Sequence, residues 1–241
     1  MAILFISDLH LHESRPQITR AFFQFLDEQA KSAEKLYILG DFFDAWIGDD
    51  DDADLPQEVA LALKKLSDTG TQIYLMHGNR DFLLGNTFAE KAGAHLIPEY
   101  TNIDLFGTPT LLLHGDSLCT DDAQYIAFRQ QVRSPQWQQQ VLSQPLAARR
   151  ALAAQLREKS QAMNSLKAED IMDVSQSEVV AAMTSAGVER MIHGHTHRPA
   201  KHLFDVHGKN HERIVLGDWH DNGWAIYADA NKIELIHWPI A

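Results

Sequence analysis

The chain has 241 residues, of which 45% are hydrophobic, and it carries a formal net charge of −12. This length and apolar content predict one large globular domain, or a domain with a substantial insertion. The acidic balance argues against a nucleic-acid-binding protein, because affinity for the phosphate backbone depends on basic surface. The single cysteine, Cys119, excludes an intramolecular disulfide and a thiolate metal cage.

The location of the protein is predicted from its apolar runs. The longest of them, such as residues 2–6 and 214–216, are far too short to cross a bilayer. The first residues lack the basic flank and the cleavage site of a secretory signal. The sequence therefore predicts a cytoplasmic protein.

Short apolar runs alternate with helical patterns in the first half of the chain. The runs are typical of buried strands. The β-α-β-α-β order predicts a largely parallel sheet whose functional residues gather at the carboxyl ends of its strands. In the tail, short runs joined by Gly, Asn and Asp turns predict a second sheet packed on the first. The predicted strands are residues 3–7, 35–40, 72–78 and 110–115, with 201–208, 213–218, 224–231 and 232–238 in the tail, and the predicted helices are 16–31 and 56–68.

Residues 121–170 differ from the flanking sequence and predict a helical cap inserted between core segments 1–120 and 171–241. Residues 123–168 contain seven basic side chains and one acidic side chain, Glu158, and this asymmetry predicts an anionic partner. The run DDDDAD at residues 49–54 is interpreted as a solvated loop. Two sets of apolar residues lie at helical spacing in the cap, Tyr125, Phe128 and Val132 and then Leu152 and Leu156.

Five predicted strand ends each carry side chains that can bind a metal. The motifs are DLH, GD, GNRD, HGD and HGHTH, in that order. One H-x-H pair arises easily by chance among 13 histidines, but five such strand ends do not. The candidate ligands exceed the four of a tetrahedral zinc and suit two divalent ions bridged by one carboxylate. These ligands are Asp8, His10, Asp41, Asn79, His114, His195 and His197.

The donor types indicate the chemistry. Carboxylate, amide and imidazole ligands suit Mn²⁺, Fe²⁺ or Zn²⁺. Two such ions attract phosphate and lower the pKa of a water between them. The sequence therefore predicts a hydrolase acting on a phosphate ester or anhydride.

The ordered motifs DLH, GDFFD, GNRD, HGD and HGHTH resemble those of the calcineurin-like metallophosphoesterase family. This resemblance implies an α/β fold of two packed mixed β-sheets flanked by helices. Most of the family has a histidine where this chain has Arg80, so the proton-transfer role of that histidine does not carry over. The resemblance implies Asp8, His10, Asp41 and His197 as ligands of one metal, with Asp41 (bridging), Asn79, His114 and His195 as ligands of the other.

The longer stretches FISDLHL, ILGDFFDAWIGDD, HGNRDFL, LLHGDSLCTDD, IHGHTHRPA and LGDW are similar to the UDP-2,3-diacylglucosamine pyrophosphatase family of lipid A biosynthesis. This implies hydrolysis of UDP-2,3-diacylglucosamine to UMP and 2,3-diacylglucosamine 1-phosphate (lipid X), with water attacking the phosphorus next to uridine. It also implies two divalent ions, typically Mn²⁺, and peripheral association with the cytoplasmic face of the inner membrane. The implied catalytic residues are Asn79, Arg80 and His195, and the implied substrate contacts are Asn79, Arg80, Asp122, Ser160, Asn164, Lys167 and His195.

Several alternatives stay open at this point. The protein could be another metallophosphoesterase, acting on a nucleotide or phosphodiester, or a non-catalytic scaffold of the same fold. Asp44 and Asp81 are expected to orient ligand histidines, and His193 is expected to pack in its strand. Four apolar cap residues fit an acyl-chain groove and an ordinary cap core equally well, namely Phe128, Trp137, Val141 and Leu142.

Overall fold

The computed structural model of the chain describes residues 2–164 and 173–240, except for the side chains of residues 159 and 161–164. Two mixed β-sheets pack face to face, and helices cover their outer sides. The strands are β1 (Ile3–Ile6), β2 (Lys35–Leu39), β3 (Gln72–Met76), β4 (Ala94–Leu96), β5 (Thr101–Leu105), β6 (Thr108–Leu112), β7 (Arg190–His193), β8 (Ala200–Val206), β9 (Lys209–Val215), β10 (Asn222–Ala228) and β11 (Ile233–Pro239).

The first sheet has the strand order β11-β10-β1-β2-β3-β4, and β1 to β4 run parallel to one another. The second sheet has the order β5-β6-β7-β9-β8, with β6, β7 and β9 parallel. This architecture confirms the predicted fold class. The expectation that all tail strands form the second sheet is wrong, because β10 pairs antiparallel with β1 and brings β11 with it. The pairing places Phe5 beside Ile226 and extends the apolar face between the sheets.

The largest buried apolar cluster lies between the first sheet and the helices that cover it, and a second cluster lies between the two sheets. Alternate residues of a strand point to opposite faces, so Ile3 and Phe5 pack toward Leu112 and Ile192 of the second sheet. Leu4 points the other way, under the outer helices. The apolar runs of the sequence therefore contribute side chains to the core on both faces of the sheet.

Helices flank both sheets, namely α1 (Pro16–Glu28), α2 (Asp54–Asp68), α3 (Asn86–Lys91), α4 (Ala123–Val132), α5 (Pro135–Leu142), α6 (Leu146–Asn164) and α7 (Gln176–Ala186). Two of them, α1 and α2, agree with the predicted helices, and α1 buries Ile18, Phe22 and Phe25 along one face. Three others, α4 to α6, lie in the segment predicted as a cap, whose boundaries stay a prediction. In the described ranges, no helix combines the length and hydropathy needed to span a bilayer.

Phe25 is the residue whose loss should most directly weaken the outer layer. It is 1% exposed, stacks on Trp238 at 5.5 Å between ring centroids and meets Trp219 edge-on at 5.7 Å. Phe25→Ala should lower the free energy of unfolding by about 3–5 kcal/mol, because it leaves a cavity among these rings. Denaturant titration measures this loss. Phe106→Ala, at a side chain 39% exposed, is the control, and an equal loss in both variants would contradict the packing described.

Candidate active site

The seven candidate ligands lie at one edge of the molecule, where loops from both sheets meet. Asp8, Asp41 and Asn79 follow strands β1, β2 and β3 of the first sheet. His114 follows β6 of the second sheet, and residues 195–197 follow β7. Each sheet therefore supplies part of the ligand set, and the packing of one sheet on the other brings the parts together.

The backbone at this edge is unusual. In the described ranges, eight non-glycine residues have a positive φ, and five of them are candidate ligands. A left-handed conformation costs an L-residue roughly 1–2 kcal/mol. Such strained conformations are retained where the surrounding structure holds them, as at binding sites. The five are Asp8 (φ 56°), His10 (48°), Asp41 (49°), His195 (69°) and His197 (55°).

One group of ligand atoms is formed by Asp8, His10 and His197. The Nε2 atoms of His10 and His197 lie 3.3 Å apart, and the Nε2 atom of His197 lies 3.3 Å from Oδ1 of Asp8. Donors bound to one ion at about 2.0–2.2 Å lie about 3–3.5 Å from each other. Oδ2 of Asp41 is 3.7 Å from Nδ1 of His10. This group can hold one cation.

A second group adjoins the first. It joins Asp8, Asp41 and His114, with Nε2 of His114 3.6 Å from Oδ1 of Asp41. Oδ1 of Asn79 lies 3.0 Å from Nε2 of His114 and 2.9 Å from Nδ1 of His195. Asp41 lies beside both groups, as expected for a bridging ligand, and Asp8 also belongs to both.

Burial and neighbouring charges shift the pKa values of three side chains in this cluster. Burial alone would lower the pKa of His114, but the carboxylates of Asp41 and Asp8 outweigh burial and raise it to about 9. Burial raises the pKa of Asp41 to about 7. Burial and the nearby His114 lower the pKa of His195 to about 4, which favours the neutral imidazole that binds metals. A cation between Asp41 and His114 would take the place of the His114 proton.

Six buried side-chain polar atoms lack a hydrogen-bond partner among the described residues, and two of the six belong to candidate ligands. These two are Oδ1 of Asp8 and Nδ1 of His10. A buried polar atom without a partner costs free energy, and a cation held by the first group would satisfy the Asp8 oxygen directly. The nitrogen and oxygen donors present therefore fit a divalent metal.

Tight backbone contacts hold the ligand loops in place. A Cβ on Gly78 would collide with the Asp41 side chain, and a Cβ on Gly194 would collide with Asp8. Asp81 accepts hydrogen bonds from the backbone N–H groups of Gly78 and Phe42, both at 2.7 Å. These contacts fix the loops after β2 and β3 to each other.

The expected roles of two carboxylates are therefore wrong. Asp81 bonds to backbone amides and not to a ligand imidazole. Asp44 accepts from Nη1 of Arg80 at 3.0 Å and also pairs with Arg157. Nδ1 of His114 instead forms a hydrogen bond with the backbone carbonyl oxygen of Leu39, at 2.8 Å. At His114, a backbone carbonyl thus takes the place of a predicted carboxylate, whereas Nδ1 of His197 lies 3.6 Å from a different carboxylate, Asp218.

His193, the first of the three alternate histidines, is fully buried in β7 and fixes the loop that follows. Its Nε2 accepts from Nη1 of Arg213 at 3.1 Å, and its Nδ1 lies 2.8 Å from the carbonyl oxygen of Gly194. Burial and Arg213 lower the pKa of His193 to about 3. The neutral ring accepts one hydrogen bond and donates the other, and it packs in its strand as expected.

Arg80 faces the cluster. Its backbone N–H donates to Oδ1 of Asp41 at 2.8 Å, and its Nε lies 3.6 Å from Oδ2 of Asp41. Its Nη1 is held by Asp44, and its side chain is 30% exposed. The guanidinium can therefore reach a ligand beside the cluster.

A cavity of about 550 Å³ opens between the cap and the cluster. Phe128, Trp137 and Val141 line it, whereas Leu142 does not and is exposed. Three of the four apolar cap residues thus face a cavity. The lining also contains Asp44, Ala45, Trp46, Ile47, Asn79, Arg80, Phe82, Leu83, Gln124, Tyr125, Ala127, Arg149, Leu152, Ala153, Leu156, Arg157 and Ser160.

The structure brings some of the expected substrate contacts to this cavity. Asn79, Arg80 and Ser160 line it. Asp122 accepts from the backbone N–H of Tyr125 at 3.0 Å and caps the N-terminus of α4. The side chain of Asn164 and the whole of Lys167 lie outside the described residues.

Sequence reasoning missed a pair that connects the cap to the cluster. The Tyr125 hydroxyl donates to Oδ2 of Asp116, a fully buried carboxylate that also accepts from Nε of Arg129 at 2.8 Å. The Tyr125 ring lies 6.1 Å from the His195 ring and lines the cavity. The sequence offered one signal for this pair. The aspartate of the HGD motif is Asp116, and it is not one of the candidate ligands.

Contacts with the core account for part of the charge asymmetry of the cap. The basic side chains of its described part face the core: Arg149 pairs with Asp50, and Arg150 pairs with Asp51 and Asp52. The DDDDAD run is thus only partly a solvated loop, since it binds the cap. The other three described cap arginines also contact the core, Arg129 through Asp116 and Glu99, Arg133 through the Gly78 carbonyl, and Arg157 through Asp44.

The chain belongs to the calcineurin-like phosphoesterase family, whose model matches residues 1–199. It is 66% identical over 240 residues to the UDP-2,3-diacylglucosamine hydrolase of Cellvibrio japonicus, with 100% of both chains covered. It is 55% identical to the enzyme of the same name from Marinobacter nauticus, over 100% of this chain and 99% of that one. These findings confirm the family and the hydrolase class predicted from the motifs. A solved archaeal phosphodiesterase with a TM-score of 0.50 and 15% identity, covering 99% of this chain and 100% of its own, shares the fold.

Metal binding should stabilise this site measurably. Removing metals with a chelator and adding Mn²⁺ at about 100 times its dissociation constant should raise the free energy of unfolding by about 2.7 kcal/mol per ion. Thermal unfolding with and without Mn²⁺ measures the gain. His10→Ala should reduce it, and His220→Ala, at an exposed histidine, should not. No stabilisation of the wild type, or equal stabilisation of both variants, would contradict a metal site here.

Proposed function

We propose that the chain hydrolyses the pyrophosphate bond of UDP-2,3-diacylglucosamine to UMP and 2,3-diacylglucosamine 1-phosphate. The main support is that Asn79 and Arg80 belong both to the polar cluster and to the lining of the apolar cavity. A substrate with an anionic pyrophosphate and two acyl chains needs both environments side by side. The names of relatives 54–66% identical over 100% of this chain support the same substrate.

We assign the metal ligands as the motifs imply. Asp8, His10, Asp41 and His197 would hold one ion, and Asp41, Asn79, His114 and His195 would hold the other. We propose Mn²⁺, since oxygen and imidazole donors without a thiolate suit it. When bound, such a pair of ions supplies a water of lowered pKa and positive charge at the phosphate oxygens.

Arg80 supplies charge to the leaving phosphate in this proposal. The leaving group, a phosphate monoester, is stable as an anion near neutral pH, so it needs charge stabilisation more than a proton. A guanidinium provides this through paired hydrogen bonds and stays protonated. Asp44 holds Arg80 at the cavity wall, while Asn79 and His195 orient the reacting phosphate.

The cap binds the rest of the substrate. The acyl chains occupy the cavity along Phe128, Trp137 and Val141, and Asp122, Ser160, Asn164 and Lys167 contact the polar part. Because the acyl chains reside in a bilayer before they bind, we propose peripheral association with the cytoplasmic face of the inner membrane. Phe128 and Leu142, 36% and 41% exposed, are available for that contact.

The alternatives fit less well. A phosphoesterase of nucleotides or other small polar phosphodiesters has no use for an apolar cavity beside the cluster. A non-catalytic scaffold has no use for two buried carboxylates and four imidazoles brought together at one edge, because their burial costs free energy.

The direct test is hydrolysis in H₂¹⁸O with Mn²⁺ present. We expect turnover of UDP-2,3-diacylglucosamine far above that of a simple phosphate ester, no turnover with chelator, and ¹⁸O in UMP because water attacks the phosphorus next to uridine. Preference for the simple ester would contradict the proposed substrate. Label in the sugar phosphate would reverse the assignment of the attacked phosphorus.

Arg80→Ala should lower kcat/KM by the equivalent of roughly 2–4 kcal/mol, the range for losing one donor to transition-state charge, while metal content stays unchanged. Arg80→His should not improve the enzyme, although it matches the commoner family motif. Steady-state kinetics together with metal analysis measure both effects. Near-normal turnover of Arg80→Ala and Arg80→Lys with metals bound would leave Arg80 only an ion-pair partner of Asp44.

A further inference from the structure

Arg149 joins the cap to the acidic loop of the core and donates four hydrogen bonds. Its side chain, on α6, is 4% exposed. Its Nε donates to the carbonyl oxygen of Gln144 at 2.9 Å, and its Nη1 donates to that of Ile47 at 2.6 Å. Nη1 and Nη2 also bind the two oxygens of Asp50 at 2.7 and 2.5 Å. We call these contacts the Arg149 latch.

The core backbone is shaped to receive this guanidinium. Gly48 has a φ of 131°, which side chains rarely adopt, and a Cβ there would collide with Nη1 of Arg149. Asp49 next to it accepts from the backbone N–H groups of Gly85 and Phe88 at 2.8 and 2.9 Å, which anchors the loop to α3. The latch therefore binds to a fixed part of the core.

The latch lies in the wall of the cavity. Trp46 and Ile47 line the cavity from the core side, immediately before Gly48. Leu152 and Leu156 line it from α6, about one and two helical turns after Arg149. The distance between these two walls thus depends on where the latch holds α6.

The next residue provides a natural comparison. Arg150 pairs with Asp51 and Asp52, but its side chain is 45% exposed and does not line the cavity. Exposed ion pairs contribute little and are screened by salt. The Asp50 carboxylate is also exposed, at 65%, but Arg149 differs because its own side chain is covered. Its guanidinium also donates to two backbone carbonyls, which an ion pair alone does not do.

We propose that Arg149 is a positioning residue that fixes α6 over residues 46–50 and thereby sets the selectivity of the protein for long acyl chains. This inference rests on the proposed function, because it takes the cavity as the acyl-chain site. In this proposal, the basic run of the cap binds the acidic run of the core. Selectivity for long acyl chains then depends on a residue that contacts neither metal nor phosphate.

The test compares Arg149→Gln and Arg149→Lys with the matched control Arg150→Gln. Each is assayed on UDP-2,3-diacylglucosamine with long acyl chains and on the same compound with acetyl groups. The ratio of kcat/KM for long to short chains should fall about tenfold or more in Arg149→Gln, mainly through KM, since hydrogen bonds to a covered charge are lost. Arg149→Lys should not restore it, because an ammonium lacks the planar set of donors. Arg150→Gln should keep the wild-type ratio.

Hydrogen exchange provides a second readout that does not need activity. Amides of residues 146–157 should exchange faster in Arg149→Gln than in Arg150→Gln, and Asp50→Asn should show a smaller change in the same direction. Equal exchange in the two arginine variants, or an Arg149→Gln variant with an unchanged chain-length ratio, would overturn the proposal.

The two proposals can fail separately. If the wild type does not hydrolyse the acylated substrate, the proposed function fails, and the latch is then judged by exchange and by binding of the apolar dye 1-N-phenylnaphthylamine. Weaker dye binding by Arg149→Gln than by Arg150→Gln supports the latch, and equal binding overturns it.

Discussion

The carboxylates of Asp8 and Asp41 lie buried beside each other, 0% and 2% exposed, where the two sheets meet. Two like charges in a medium of low dielectric constant repel strongly and lose their hydration. Without a cation, the protein balances them with a protonated His114, whose pKa is raised to about 9. Hydrogen bonds from backbone N–H groups to Asp81 hold this arrangement in place. Gly78 and Gly194 leave room for it because they lack a Cβ, and the ligands adopt a left-handed backbone conformation. The proposed ions would supply the charge that the cluster lacks.

The segment between β2 and α2 connects this cluster to the cap. It begins with Asp41 and continues with Asp44, which pairs with Arg80. Trp46 and Ile47 then form part of the cavity wall. The segment ends in the aspartates that bind α6. A single loop thus contacts both the candidate metal cluster and the cap.

The sequence predicted those features that depend on local pattern. Strands β1, β2 and β3 have apolar runs that end in polar ligands, and the helices between them have a clear apolar spacing, so both were found from the sequence. The ligand set followed from the order of the motifs and from the family that they resemble. Strand β5 was not found, because its exposed and buried residues alternate in the short stretch TNIDL.

Other features depend on partners far away in the chain and could not be predicted. The sheet that β10 joins is decided by pairing with β1, more than two hundred residues earlier. Arg149 and Asp50 are 99 residues apart, so the two charge runs looked independent in the sequence. Asp44 and Asp81 were assigned to histidines because both lie next to ligand motifs, whereas the fold brings an arginine to Asp44 and backbone amides to Asp81.

The central claim is that two divalent ions share the carboxylate of Asp41. Anomalous diffraction at the manganese absorption edge, from crystals grown with Mn²⁺, tests it most directly. The account predicts two peaks about 3.5–4 Å apart, with Asp41 between them, His10 and His197 beside one, and His114 and His195 beside the other. A single peak, or two peaks that do not share Asp41, would contradict it.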